Sequence, residues 1–182
     1  DQSPYRTVLC LGHILDEDGR KMSKHLGNIL EPIGLMDAHG ADATRYGLLK
    51  ISSTQDVRFS IGAIEEGRKL ANKIWNVARL ILQSAHHVTP ALQARSLEER
   101  WIVARIDVAR AEVEDCWGRF DFATATGVLY HLTFDDFCDW YAEAVKPRLY
   151  DHDVDAIATA LAALERLLGL LHPVMPHVTE EI

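Results

Sequence analysis

From Ser60 to the chain's last residues, apolar side chains return every three or four positions, a period that commits most of this sequence to helices packed on one another. Ser60 reads as the N-cap of a helix reaching residue 84, striped by Ile64, Leu70, Ile74, Val77 and Ile81. After a linker over 86–94 that holds Pro90, Ser96 and Glu99 have the spacing of a capping box. The helix they open is expected to bury Leu97, Trp101, Ala104, Val108 and Ala111. A third helix is expected over 122–146, stopping ahead of Pro147, because proline drives the residue before it out of the helical region. A fourth, over 153–172, carries Val154, Ile157, Leu161, Leu164, Leu168 and Leu171 and is ended by Pro173 and Pro176. A further helix starts near the end of the chain. Burial is worth about 25 cal/mol per Å2 of apolar area, so stripes this apolar have to be covered. Long amphipathic helices joined by short links predict an antiparallel bundle.

The first sixty residues read differently. Residues 7–15 are predicted as a strand, with Val8, Leu9, Leu11, Ile14 and Leu15 as its apolar content. Pro32 opens a short helix ending at His39-Gly40. Another short helix covers 41–50, Ser52 to Asp56 is a polar connection, and Val57 to Phe59 is briefly extended. The two parts also differ in charge. Residues 1–83 hold 11 Lys/Arg and 10 Asp/Glu, whereas residues 84–182 hold 8 and 17. A polyanion is therefore expected against the first half, despite a net charge of −8. Cys10, Cys116 and Cys138 have no CxxC spacing and read as reduced structural thiols. No run is apolar enough to span a bilayer. Starting on Asp1 and stopping at Ile182 in mid-pattern, the sequence reads as a fragment of something longer.

One loop carries chemistry. Asp18-Gly19 is a strong turn signal, and Lys21-Met22-Ser23-Lys24-His25 follows it. Two lysines three residues apart on a small-residue loop suit polyphosphate, because each ammonium is a compact charge with rotatable donors. Cations placed where negative charge develops on a departing phosphoryl group stabilise the transition state. Met22 is expected to anchor the loop by packing.

With its flanking Gly19-Arg20 and Leu26-Gly27-Asn28, this run resembles the KMSKS signature loop of class I aminoacyl-tRNA synthetases, departing from it at His25, where the family usually has Ser. The likeness continues along the chain. His39-Gly40-Ala41-Asp42-Ala43 with Arg45 resembles the GADA segment of the valine, isoleucine and leucine enzymes. Asn72-Lys73-Ile74-Trp75-Asn76 with Ala78-Arg79 resembles a helix more typical of the valine enzymes, and His25 to Pro32 also looks like some isoleucine enzymes. Glu99 to Ile102, Asp135 to Tyr141 and Lys146 to Leu149 continue the pattern. His172-Pro173-Val174-Met175-Pro176-His177 resembles the segment near the end of the family's helical domain, with His177 in place of Phe.

The resemblance implies three regions. Residues 1–30 would end a nucleotide-binding domain, 31–59 would form a stem-contact segment, and 60–182 would be a helical anticodon-binding domain, giving a mainly α chain with a small α/β remnant in front. It implies ATP with Mg2+, valine and tRNA(Val) as what the whole enzyme uses, in a cytoplasmic, monomeric setting. The isolated fragment is expected to be inactive and to hold no cofactor itself. Lys21 and Lys24 would be catalytic, acting on the triphosphate, and Lys21, Met22, Ser23 and Lys24 together would bind ATP. A bare tRNA-binding module derived from a synthetase, or an isoleucine enzyme, is the alternative.

On the helix over 60–84, Arg68, Lys69, Asn72, Lys73, Asn76 and Arg79 share one side, which suits a phosphate backbone. Trp75 is expected to pack in the core or between domains. Asp135, Asp136 and Asp139 read as salt-bridge partners and not as metal ligands, since no oxygen-rich loop accompanies them. His86, His87, His172 and His177 have no zinc spacing and are expected in linker or core roles.

Overall fold

The computed structural model describes residues 4–52 and 54–182. The connection at Ser52 to Asp56 therefore includes one residue, Ser53, outside the described part. The elements run β1 (Ile14–Leu15), α1 (Pro32–His39), α2 (Ala41–Lys50), β2 (Val57–Arg58), α3 (Ile61–Ser84), α4 (Leu97–Gly118), α5 (Phe122–His131), a π-helical stretch (Leu132–Tyr141), α6 (Ala142–Tyr150), α7 (Val154–Leu171) and α8 (Pro176–Glu181).

The predicted nine-residue strand is reduced to β1. A strand exists only where ladder bonds exist, and only Ile14 and Leu15 find partners, pairing in parallel with Val57 and Arg58. Gly12 lies so close to the backbone of Gln55 that a Cβ would fall 1.9 Å from its carbonyl oxygen. That close approach explains the glycine. Gly40 stands at φ 90° and donates its N–H to the Met36 carbonyl at 2.8 Å, closing α1 as expected.

The long helices fall where the periodicity put them. The Ser60 side chain accepts from the Ala63 N–H, and Ser96 and Glu99 form the reciprocal capping box. Asp153 caps α7 through the N–H groups of Asp155 and Ala156. The main core joins Ile74, Ala78 and Ile81 of α3 to Ile102 and Ile106 of α4, Phe137, Tyr141, Val145 and Leu149, and Ile157, Leu164 and Leu167 of α7.

Two expectations about α4 and the third helix fail. The buried stripe of α4 is Ile102, Ile106, Ala109, Val113 and Cys116; Leu97, Trp101, Ala104, Val108 and Ala111 face outward. Glu99 sets that phase. It is 0% exposed, its carboxylate takes the N–H groups of Arg95 and Ser96, and Arg148 pairs with it at 2.6 Å. A neutralised acid can lead a helix face inward where an unpaired one cannot. The third helix also runs past Pro147 to Tyr150. Val145 and Leu149 are both fully buried. Two such side chains contribute about 1.5–3 kcal/mol each, enough to offset the roughly 3 kcal/mol that an internal proline costs.

Two short segments tie the front of the chain to its end. The Asp42 carboxylate of α2 accepts the N–H groups of His177 (3.1 Å) and Val178 (2.6 Å) at the start of α8. Three residues on, Arg45 donates to the carbonyls of Pro173 (2.9 Å) and Val174 (3.3 Å). The motif at 39–45 and the motif at 172–181 are thus a single contact. His177 reaches it through its backbone while its ring is exposed, and the exposed His172 bonds the Thr179 hydroxyl, so neither histidine takes a core role.

Candidate functional site

The lysine loop is a braced hairpin. Asp16 and Arg20 close it, the Asp16 N–H donating to the Arg20 carbonyl at 2.9 Å, and Gly19 takes φ 80° at its tip. Asp16 is buried at the centre. Its carboxylate accepts from the Asn28 amide (2.8 Å) and from both the N–H (2.7 Å) and guanidinium (2.9 Å) of Arg20. The Asn28 hydrogen bond, followed by those from Arg20, holds the Asp16 carboxyl down at about 2, against an ordinary 3.8. Asn28 also accepts the Ser23 N–H at 2.9 Å. Met22 packs against Ala43, Phe59 and Ile64, so the loop is anchored at its root. Lys21 and Lys24 are exposed on either side of that anchor.

The α3 row divides. Arg68, Lys69, Asn72, Asn76 and Arg79 are exposed. Lys73 turns inward instead, its ammonium 2.5 Å from Asp139 and 3.2 Å from the centroid of the Phe134 ring. Asn76 donates to the Asn72 carbonyl at 2.8 Å. Trp75 is 42% exposed, so of the two roles expected, core or between domains, it does not take the first; it lines a groove with Arg79, Leu82 and His86.

The ion pairs sort the cations. In the acidic half, Arg95, Arg105, Arg110, Arg119, Lys146, Arg148 and Arg166 each meet a carboxylate, leaving Arg100 as the exception among the described residues. In the first half, Arg20, Lys50 and Lys73 are paired. Lys21, Lys24, Arg58, Arg68, Lys69 and Arg79 close no salt bridge with a described residue. Uncompensated positive charge is thus gathered on the loop, β2 and α3, where a polyanion would gain most.

Asp135, Asp136 and Asp139 pair with His131, Arg105 and Lys73 respectively, and no group of three acids, histidines or cysteines among the described residues could hold a metal ion. The thiols are all free; Cys116 and Cys138 are buried, burial pushing Cys138 up to about 12, while Cys10 is exposed. No described helix is long and apolar enough to cross a membrane.

Reading from sequence missed Asp16, Asn28 and the Asp42–Arg45 contact. The four-residue step from Asp16 to Arg20 was a visible signal for the brace; the partners of Asp42 lie some 135 residues away and left none.

The chain thus sets two exposed lysines on a braced hairpin ahead of a helical bundle with an uncompensated basic face. Residues 1–60 match the family described as tRNA synthetases class I (I, L, M and V), and residues 99–182 match the anticodon-binding domain of tRNA ligase. Both stretches are thus similar to parts of class I tRNA synthetases. It is 40% identical to the valine--tRNA ligase of Gloeobacter violaceus over its full length, and likewise 40% identical to that of Enterococcus faecalis. It spans about a fifth of their length, 22% in each case. Among solved structures, a Mycobacterium tuberculosis methionyl-tRNA synthetase bound by methionyl-adenylate superposes with a TM-score of 0.75, at 22% identity, over 94% of this chain and 36% of that one. A leucyl enzyme of Agrobacterium radiobacter in complex with tRNA gives 0.73 at 23%, over 94% of this chain and 21% of that one. At these identities the likeness establishes the fold.

Proposed function

We propose that this chain is the ATP-loop and anticodon-binding part of a valine--tRNA ligase, an enzyme that activates valine with ATP and transfers it to tRNA(Val). The single observation that carries this reading is the full-length 40% identity to valine enzymes, joined to a lysine hairpin whose brace leaves both ammonium groups exposed. ATP, bound with Mg2+, would supply the adenylyl group: the valine carboxylate attacks the α-phosphorus and diphosphate leaves. Lys21 and Lys24 stabilise the negative charge on the departing diphosphate, with Met22 seating the loop and Ser23 held by Asn28. The exposed Arg68, Lys69, Asn72, Asn76 and Arg79 follow the tRNA backbone. Lys73 supports that face by fixing Asp139. The regions 1–30, 31–59 and 60–182 divide these tasks; the class I match ends where α3 begins, which supports the last boundary. The working protein is a cytoplasmic monomer. The fragment alone is inactive, because the amino-acid pocket belongs to the remainder of the enzyme.

Anisotropy with labelled tRNA(Val) and tRNA(Ile) tests this reading. The chain should bind both in a salt-dependent manner and favour tRNA(Val); preference for tRNA(Ile) would replace valine with isoleucine. Valine-dependent pyrophosphate exchange by the 182 residues alone would overturn the claim of inactivity. In the full-length enzyme, Lys24→Ala should depress adenylate formation far more than valine binding, since its charge acts as diphosphate leaves.

A further inference from the structure

The lysine hairpin is braced at its centre by Asp16 and seated at its root by Met22, and its tip meets a side chain from elsewhere in the chain. That side chain is Arg58 of β2, one of the cations that close no salt bridge with a described residue. Its Nε and Nη2 each lie 3.3 Å, and its Cζ 3.6 Å, from where a Cβ on Gly19 would stand, so the edge of the guanidinium fork abuts the bare glycine. Gly19 takes φ 80°, a left-handed conformation that suits glycine, and a side chain there would also crowd the guanidinium. A guanidinium is flat and weakly hydrated, so it packs on such a surface where a strongly hydrated ammonium would stay in water.

Strand pairing shows what this contact reaches. Leu15 pairs in parallel with Arg58 on one side and bridges in antiparallel fashion to Lys21 on the other. The three segments lie side by side, with Arg58 and Lys21 two strand spacings apart, roughly 9–10 Å. The Val57 N–H donates to the His13 carbonyl at 3.0 Å, the Phe59 N–H to the Leu15 carbonyl at 2.8 Å, and the His13 N–H to the Asp56 carboxylate at 2.7 Å. Hydrogen bonds to the backbone and ring of His13 hold Asp56 below the ordinary carboxylate range, and the charge of Lys21 adds to them, so Lys21 is within electrostatic reach of the same strand. β2 therefore meets the hairpin twice, at the tip through Arg58 and beside Lys21 through Leu15 and Asp56. A two-stranded hairpin by itself is marginally stable in water, so the contact at the tip counts.

We infer that Arg58 is a positioning residue for adenylate formation: packed on Gly19, it holds the hairpin against β2 and fixes where Lys21 meets the departing diphosphate. The inference rests on the ligase reading of the lysine loop. Arg58 acts through the hairpin, so its contribution disappears when the lysine it positions is removed.

Single-turnover adenylate formation by the full-length enzyme, measured beside valine and tRNA binding, tests it. Arg58→Ala should slow the chemical step about ten- to hundredfold, as a misplacement of about 1 Å can, and leave both affinities within about twofold. Arg58→Lys keeps the charge without the flat fork and should be slowed nearly as much; full activity in that variant would show that charge suffices and overturn the packing role. In a Lys21→Ala background, Arg58→Ala should add little, because residues that act through one group are not additive, and losses that multiply would overturn the inference. A fall in tRNA affinity as large as the fall in rate would make Arg58 an RNA contact and equally overturn it. Slow chemistry in Lys21→Ala with an unimpaired Arg58→Ala would remove the positioning role and leave the ligase reading standing. An unimpaired Lys21→Ala would remove that reading of the loop, and the inference with it.

Discussion

At the residue scale, the hairpin depends on one carboxylate. Asp16 takes three hydrogen bonds from Asn28 and Arg20 and holds the two limbs together while Lys21 and Lys24 stay exposed. Its folded-state pKa of about 2 lies below the ordinary 3.8, so its contribution is present above the ordinary value and lost as pH falls from about 4 toward 2. Amide exchange at Arg20 should therefore stay slow at pH 5 and accelerate across that window, whereas Asp16→Asn should exchange fast at both. Gly67 is fixed by its neighbour: an added Cβ would stand 2.7 Å from Cδ1 of Tyr46, whose ring is fully buried and whose hydroxyl donates to Glu66. Gly67→Ala should cost about 1–3 kcal/mol in urea unfolding.

At the scale of elements, α4 shows how a charge can set a helix's phase. Glu99 is both half of the capping box and the buried partner of Arg148, which also reaches Glu98 and Asp153. Removing the box alone and removing the buried acid should differ in cost. Ser96→Ala should destabilise by about 1 kcal/mol. Glu99→Ala should cost about 3 kcal/mol or more, because it leaves Arg148 unpaired beside the core and the Ser96 N–H without its acceptor. Equal losses in chemical denaturation would show that only the cap matters. The π-helical stretch places Asp136 toward Arg105 of α4 and Asp139 toward Lys73 of α3, so its acids join neighbouring helices.

At the scale of the molecule, the contact between α2 and α8 adds to the packing of Tyr46 against Leu70 and Leu129 in joining the front segment to the bundle. Asp42 is buried and offers both carboxylate oxygens to the otherwise unpaired N–H groups that open α8. Asp42→Ala should lower stability by about 2 kcal/mol, judged by thermal melting, and should release amide protection at His177 and Val178 first. Protection unchanged at those two amides would mean that Arg45 and the buried Tyr46 secure the contact by themselves.

The sequence by itself determined the helices, their caps at Ser60 and Ser96 and the lysine hairpin. Each of these depends on residues within a turn or two of one another, and local spacing records local interactions. It also carried the family likeness, since that is a property of residue order. Tertiary structure alone decided which face of α4 turns inward, that α6 continues through Pro147, that Lys73 leaves the basic row for Asp139, and that Asp42 meets a segment some 135 residues away. In all four the outcome depends on a partner from a distant part of the chain. The free energy of burying or pairing against that partner exceeds the local preference, and no periodicity in the sequence encodes it.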